Sequence, residues 1–194
     1  LTHRIAHLLQ TGKARPDQIL AITFTNKSAA EMRERVTHMV GPAARAMWVM
    51  TFHAACGRIL RREAERLGFK STFSIYDQGD QVRLAKHCIE ELDLDIKRFV
   101  PSSVHHRISQ AKNQLITPEM YRSQISNFLE ETIADIYARY DEALFKSNAM
   151  DFDDMLLKSV HLLENFPDVR QHWARNFKYL LVDEYQDTNH AQYK

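Results

Sequence analysis

The sequence is poor in glycine, with only five in 194 residues, at positions 12, 41, 57, 68 and 79. A phosphate-binding loop of the form GxxxxGK[ST] needs two glycines five positions apart, and no two glycines here are closer than 11 positions. Gly12 and Lys13 form the GK pair, but the upstream glycine and the following hydroxyl residue are missing. The chain therefore contains no loop of this kind.

Cysteine and long apolar runs are also scarce. Cys56 and Cys88 form no CxxC pair, so neither a zinc site nor a disulfide framework is expected, and a reducing, cytoplasmic setting is favoured. No apolar run approaches the roughly 20 residues that cross a bilayer, and no signal peptide opens the chain, so we expect no membrane association. Leu1 is not an initiator Met, and we expect both ends to be cuts within a longer protein.

The composition is that of a soluble globular protein, with 44% hydrophobic and 26% charged residues. The length allows one large domain or two small ones. Charge is unevenly spread: residues 1–78 carry a net +6, residues 79–147 carry −2 and residues 148–194 carry −3. A basic first segment suits a polyanion and an acidic last segment suits a metal ion, although such imbalances also occur on solvated faces.

Helices and strands alternate in the first 76 residues. Periodicity predicts helices over 1–10, 28–39 and from the end of the second strand to 67, with strands over 19–25, 47–52 and 73–76. Ser28 and Glu31 match a capping box at the start of the second helix, and Gly68 is placed to end the third.

The rest of the chain is predicted to be helical up to a final strand. Residues 77–147 show only helical periodicity, with breaks at Pro101 and Pro118. Further helices begin near Asp151 and Pro167, and the last strand spans 178–182. We therefore predict an α/β fold in which a parallel sheet, from residues 1–78 and 148–194, is interrupted by an all-helical insertion over 79–147.

The most informative stretch is YLLVDEYQDTN, residues 179–189, in which a buried strand runs into two adjacent carboxylates. Ligands bind at the carboxyl ends of strands in open α/β sheets. One carboxylate there can hold Mg²⁺, and the next can orient or deprotonate the water that attacks a γ-phosphate. An apolar strand followed by DE also occurs where a strand simply meets solvent, but the full string is far more specific.

This string resembles motif II of the UvrD/PcrA/Rep helicases of superfamily one. Three further stretches resemble motifs of that family in the same order: TFTNKSAAEM over 23–32, TFH over 51–53 running into RILR over 58–61, and DFDDM over 151–155. The resemblance spans essentially the whole chain.

The resemblance implies a partial RecA-like P-loop NTPase sheet with an all-helical insertion domain. It also implies an ATP-dependent 3′–5′ DNA helicase that uses ATP and Mg²⁺ and acts on single-stranded DNA and on junctions of single- and double-stranded DNA, with repair or replication proteins as further partners. The fragment is not expected to be active alone, since the Walker A loop and the second motor domain are missing. Two alternatives are the helicase part of a RecB- or AddA-like helicase–nuclease, and a DNA-binding module without catalysis.

Seven site residues follow from the resemblance by position. Asp183 would bind Mg²⁺ and Glu184 would be the catalytic base, both at the ATP, whereas the face that touches DNA would comprise Phe24, Thr25, Asn26, Thr51 and His53. A Phe at a strand end can stack on any base, and small polar residues and amides at helix starts suit phosphates. Without the resemblance, Phe24 would be interpreted as a core aromatic.

Two other groups remain ambiguous in the sequence. Four arginines at helical spacing form either a basic stripe toward phosphates or a solvated face: Arg58, Arg61, Arg62 and Arg66. The three aspartates of DFDDM could be mistaken for a metal cluster, but helix capping by Asp151, with Asp153 and Asp154 in the first turn, explains them more simply.

Overall fold

The computed structural model of the chain describes residues 1–125 and 127–194. These residues form two compact units, one from residues 1–59 and 161–188 and the other from residues 60–160 and 189–194. The predicted division into segments 1–78, 79–147 and 148–194 stays a prediction.

Among the described residues the regular elements are five strands and ten α-helices. The strands are β1 (Ile19–Thr23), β2 (Trp48–Thr51), β3 (Ser74–Tyr76), β4 (Ala149–Asp151) and β5 (Tyr179–Val182). The first five helices are α1 (Thr2–Gln10), α2 (Asn26–Val40), α3 (Phe52–Glu63), α4 (Gln78–Glu91) and α5 (Pro101–Asn113). The others are α6 (Pro118–Ser123), α7 (Phe128–Lys146), α8 (Phe152–Asn165), α9 (Pro167–Asn176) and α10 (His190–Tyr193).

The first unit is built on a parallel three-stranded sheet in the order β2-β1-β5. All five residues of the central strand β1 are buried, as expected for a parallel sheet covered on both faces. On one face, Ile19 and Ala21 pack with Val49 and with α1 and α2. Trp48 of β2 lies in an aromatic group with Trp173 and Phe177, at centroid distances of 5.4 Å and 4.9 Å.

The second unit is mainly helical. Its core includes residues of α4, α5 and α7, among them Ile89, Ile108 and Tyr137. The Tyr137 hydroxyl donates to the Ile116 carbonyl at 2.9 Å, which satisfies its buried polar end. The two short strands β3 and β4 pair in parallel within this unit.

Most predicted elements are confirmed: a mixed α/β chain with a small parallel sheet and predominantly helical segments between its strands. Pro101 and Pro118 begin α5 and α6, because proline suits the first turn of a helix. The predicted third helix ends in a 3₁₀ turn, Ala64–Leu67. Gly68 follows this turn with a φ of 78°, as predicted for a residue that ends a helix. The pairing strand β4 was not predicted.

The predicted capping box of Ser28 and Glu31 is wrong. Helix α2 begins at Asn26, and Thr25 caps it, because the Thr25 hydroxyl oxygen accepts the Ser28 backbone N–H at 3.0 Å. Ser28 thus lies inside the first turn.

None of the described helices is long and apolar enough to cross a bilayer.

Candidate functional site

The three parallel strands of the first unit end at one edge of the sheet. In register, Thr23 of β1 is opposite Thr51 of β2, and Ile22 of β1 is opposite Val182 of β5. The residues at and just after the ends of these strands are therefore neighbours, and they include all seven site residues predicted from the sequence. This edge is the usual ligand-binding edge of an open parallel sheet.

The acidic pair follows β5 directly. The Asp183 backbone N–H donates to the Ile22 carbonyl at 2.9 Å, so the ladder with β1 extends one residue past the strand. The next residue, Glu184, is exposed. Its backbone has φ 51° and ψ 44°, a left-handed conformation that is uncommon for residues other than Gly, Asn and Asp. The backbone therefore turns sharply between the two carboxylates, and a 3₁₀ turn, Tyr185–Asp187, follows.

The residues after β1 form the start of α2. Phe24 is half-buried, and its ring lies 5.7 Å from that of Phe52 in an edge-to-face arrangement. Thr25 and Asn26 are exposed, and the Thr25 side chain is used as the cap of α2. Phe24 is therefore neither fully buried in a core nor free of packing, because its ring packs against that of Phe52 and is still partly accessible.

The residues after β2 form the start of α3. Thr51 is the last residue of the strand, and its hydroxyl oxygen accepts the Ala54 backbone N–H at 3.3 Å. His53 is the second residue of the helix and is half-buried. Two helices, α2 and α3, thus begin at this edge, each with a threonine oxygen near its first turn.

The edge combines two chemistries. Asp183 and Glu184 supply negative charge after β5, while the ends of β1 and β2 supply an aromatic ring, hydroxyl groups and helix N-termini, which favour phosphates. The described residues contain no group of three or more His, Cys, Asp or Glu side chains that could enclose a metal ion. Mg²⁺, however, is commonly held by one or two carboxylates, with water and substrate phosphates completing its shell, and an adjacent pair fits that pattern.

Two of the four arginines of the possible basic stripe make specific contacts. The Arg58 guanidinium lies 4.1 Å from the centre of the Trp48 ring in the first unit. Arg61 donates to the carbonyls of Ser71 and Phe73 in the second, at 2.9 Å and 3.2 Å. These two arginines therefore stabilise the fold, whether the stripe faces phosphates or solvent.

Two of the three aspartates of DFDDM, Asp151 and Asp154, form a buried ionic cluster that sequence reasoning did not find. Asp151 Oδ1 accepts the Asp154 backbone N–H at 2.7 Å, which confirms the predicted cap of α8. The missed partner is Lys112 of α5, fully buried, whose Nζ lies 2.7 Å from Asp151 Oδ2 and 2.9 Å from Asp154 Oδ1. The Tyr140 hydroxyl also donates to Asp151 Oδ2, at 3.0 Å.

Burial and charge act against each other in this cluster. Burial, together with the neighbouring Asp154 carboxylate, raises the pKa of Asp151 to about 6. Burial alone would also raise the pKa of Asp154, but Lys112 and Lys158 outweigh it and lower that pKa. Burial alone would lower the pKa of Lys112, and the two carboxylates instead raise it well above its ordinary value. A buried ammonium thus occupies the place that a metal ion would need.

Comparison with known proteins agrees with the family resemblance. The profile of the UvrD/REP helicase N-terminal domain matches residues 1–194. The chain is 45% identical over 193 residues to the ATP-dependent DNA helicase PcrA of Bacillus subtilis and 49% identical over 197 residues to the ATP-dependent DNA helicase UvrD1 of Mycobacterium bovis. Each match covers 100% of this chain but 26% of the relative, so the chain spans about a quarter of the length of these relatives. The chain belongs to the UvrD/REP helicase N-terminal domain family.

Proposed function

We propose that this chain is part of the first motor domain of an ATP-dependent DNA helicase that moves 3′ to 5′ on single-stranded DNA. The observation that supports this most is the shared edge of the parallel sheet, where the acidic pair and the candidate DNA contacts follow three neighbouring strands. The two relatives compared above are both named ATP-dependent DNA helicases. We also propose the cytoplasm as its location, with DNA junctions as substrates and repair or replication proteins as partners.

The proposed hydrolytic residues are Asp183 and Glu184. Glu184 is the base that orients or deprotonates the attacking water, a role that requires an accessible carboxylate. Its exposure and its left-handed backbone support this role, because strained backbone is concentrated at functional sites. Asp183 supplies a carboxylate to Mg²⁺, and the bound ion would neutralise charge on the transferred phosphoryl group.

The proposed DNA contacts lie after β1 and β2. The accessible part of the Phe24 ring stacks on a base, and Asn26, Thr51 and His53 contact the sugar–phosphate backbone together with Thr25. None of these contacts reads the identity of a base, so the proposed interface tolerates any sequence.

The sheet is proposed to be part of a larger RecA-like sheet. Strand β5 lies at an edge of the β2-β1-β5 sheet, and Leu180 within it is 61% exposed. Parallel sheets normally bury both faces, so an exposed leucine on an edge strand supports the addition of further strands beside β5. Since no GxxxxGK[ST] loop occurs in the 194 residues, the ATP phosphates would be bound by residues outside them.

The same absence supports a second candidate for the polypeptide by itself, a DNA-binding module without catalysis. The candidate DNA contacts at the ends of β1 and β2 need no ATP loop, whereas hydrolysis does.

The test is ATP hydrolysis by the full-length protein from the same gene, with and without single-stranded DNA, for the wild type and for Glu184→Gln. The substitution keeps the size of the side chain but removes the base. We expect strong stimulation by DNA that Glu184→Gln abolishes while ATP binding persists. A folded full-length protein that DNA does not stimulate would contradict the motor function and leave the binding module.

A further inference from the structure

Thr23 places a buried hydroxyl group at the end of a strand that is otherwise apolar. It is the last residue of β1, follows the run ILAI and is 1% exposed. A buried hydroxyl that makes no hydrogen bond is unfavourable. The Thr23 hydroxyl avoids this cost by donating to the Thr25 carbonyl, two residues further along the chain, at 3.1 Å. Its partner is therefore the residue just beyond Phe24.

This hydrogen bond closes a short turn around Phe24. The turn includes the φ and ψ rotations of Phe24, so neither angle can change by much while the bond is intact. Thr23 itself is fixed in the sheet, because β1 is the central strand and Thr23 is opposite Thr51 of β2. The Phe24 backbone is therefore held to the end of the sheet through the Thr23 side chain.

The Phe24 ring is oriented by a second contact. The ring is half-buried, and its centre lies 5.7 Å from that of the Phe52 ring, at an interplanar angle of 61°. Phe52 is the first residue of α3 and is itself buried. A fixed backbone and an aromatic neighbour together leave the Phe24 side chain few orientations. The accessible part of the ring therefore points in a defined direction.

Thr25 is also held by bonds that do not involve Thr23. Its carbonyl accepts the Ala29 backbone N–H at 3.0 Å, the first bond of α2. Its hydroxyl oxygen accepts the Ser28 backbone N–H, also at 3.0 Å. Loss of the Thr23 hydroxyl would leave both bonds, and so the start of α2, in place. The Thr23 hydrogen bond therefore acts mainly on Phe24.

We propose that Thr23 is a positioning residue for the binding of single-stranded DNA, acting through Phe24. This inference rests on the proposed function, in which Phe24 stacks on a base. A ring that is already held in one orientation loses less conformational freedom on binding than a ring that must first be ordered, so it binds more tightly. Thr23 supplies this order although, at 1% exposure, it is too buried to touch the DNA.

The test is binding of labelled oligothymidine to the full-length protein from the same gene, followed by fluorescence anisotropy at one fixed salt concentration. Thr23→Val keeps the β-branched shape and removes the hydroxyl. It leaves the Thr25 carbonyl bonded to the Ala29 N–H, so no buried polar group loses its last partner. Thr23→Ser keeps the hydroxyl and lacks only the methyl group. Thermal unfolding of each variant is measured in parallel, and affinities are corrected for the folded fraction.

Thr37→Val is the matched control. Thr37 belongs to the same unit, and its hydroxyl likewise donates to a backbone carbonyl, that of Arg33, at 2.7 Å. It lies in the last turn of α2, about 16 Å along the helix from Asn26. The substitution is chemically identical to Thr23→Val but lies away from the sheet edge.

We expect Thr23→Val to weaken DNA binding about fivefold and Thr23→Ser to weaken it less than about twofold, because the hydroxyl is what orders Phe24. Thr37→Val should bind DNA as the wild type does. In the Phe24→Leu background, Thr23→Val should cause less than about a twofold further loss, since the ring that Thr23 positions is gone.

Three results would overturn the inference: a Thr23→Val variant that, after correction for the folded fraction, binds as tightly as Thr37→Val; a Thr23→Ser variant that loses as much affinity as Thr23→Val; or a full further loss from Thr23→Val in the Phe24→Leu background. Phe24→Leu alone separates the two proposals. If it weakens binding while Thr23→Val does not, only this inference fails; if it binds as the wild type does, the proposed DNA contact of Phe24 fails.

Discussion

The Lys112 ammonium lies 2.7 Å from Asp151 Oδ2 and is fully buried, although 39 residues separate the two in the sequence. Asp154 completes the cluster at 2.9 Å. The ammonium joins the end of α5 to the start of α8. Buried pairs of this kind add little net stability when intact, but breaking one leaves charge without compensation.

We expect Lys112→Met to destabilise the second unit by about 3–5 kcal/mol at neutral pH. The substitution leaves the two buried carboxylates with the Lys158 ammonium, whose Nζ lies 3.6 Å from Asp154 Oδ1, and the Tyr140 hydroxyl, which donates to Asp151. The cost should shrink at pH 5, because loss of the ammonium lets the two carboxylates bind protons more readily. Lys158→Met is the control and should cost much less, since Lys112 remains in place.

Urea unfolding with two probes measures this effect. Both tryptophans of the sequence, Trp48 and Trp173, belong to the first unit, whereas the second unit is mainly helical. Far-UV circular dichroism should therefore show an early transition in Lys112→Met while tryptophan fluorescence changes less. Equal effects of Lys112→Met and Lys158→Met would contradict the assigned role of Lys112.

The raised pKa of Asp151 predicts a pH dependence of stability with a definite sign. Since the folded-state pKa of Asp151, about 6, exceeds the ordinary aspartate value of 3.8, the folded chain binds more protons between these values. Asp151 therefore makes the free energy of unfolding fall as the pH rises from about 4 to 6, with no further change above that window.

Asp151→Asn should remove this contribution. The free energy of unfolding at pH 7, minus that at pH 4.5, should be about 1–3 kcal/mol larger for Asp151→Asn than for the wild type. Urea titrations at a series of pH values provide the measurement, and only the slopes are compared, because the substitution itself lowers stability at all pH values. Parallel curves for the two proteins would show that Asp151 titrates normally.

The exposed leucine of β5 predicts a contrast between two adjacent positions. Leu180 is 61% exposed, whereas Leu181 is partly buried and packs against the core that includes residues of α1 and α2. In the 194-residue chain, Leu180→Lys should change the free energy of unfolding by less than about 0.5 kcal/mol, and Leu181→Lys should cost at least about 2 kcal/mol, as followed by tryptophan fluorescence.

The full-length protein should respond differently to Leu180→Lys. If further strands pair beside β5 and the larger sheet is covered on both faces, the leucine becomes buried, and lysine there should lower the melting temperature clearly. An unchanged melting temperature would argue against a larger sheet extending from β5.

The half-buried ring of Phe24 predicts a loss of DNA affinity that is separable from folding. Phe24→Leu retains apolar bulk against Phe52 but removes the π-face, so we expect binding of single-stranded DNA to weaken by about 1–3 kcal/mol. Fluorescence anisotropy with labelled oligothymidine at one fixed salt concentration measures this. Phe128→Leu is the control, since Phe128 is 68% exposed but lies in the second unit. If both variants bind DNA with the same affinity as the wild type, Phe24 does not contact the DNA.

Local patterns in the sequence were sufficient for several features. The run ILAIT predicts the buried central strand β1, because both faces of a parallel sheet are covered. Pro101, Pro118 and Gly68 mark helix boundaries through their own backbone preferences. The residues of the candidate site were named from the family resemblance, and in the structure they lie at or just after the ends of three neighbouring parallel strands.

Other features required the tertiary structure. The choice of Thr25 over Ser28 as the cap of α2 depends on where β1 ends, which the overlapping local patterns do not decide. The order β2-β1-β5 depends on pairing between strands far apart in the chain.

The sequence by itself determined the family motifs, the alternation of strands and helices, and the residues that follow each strand, because these depend on neighbours along the chain. Only the tertiary structure decided that a lysine in the polar run AKNQ is fully buried between two aspartates, and that Asn113 meets Asn189 from 76 positions away. Burial of a charge or an amide is favourable only when partners are supplied at hydrogen-bonding distance, and folding of the whole unit supplies them.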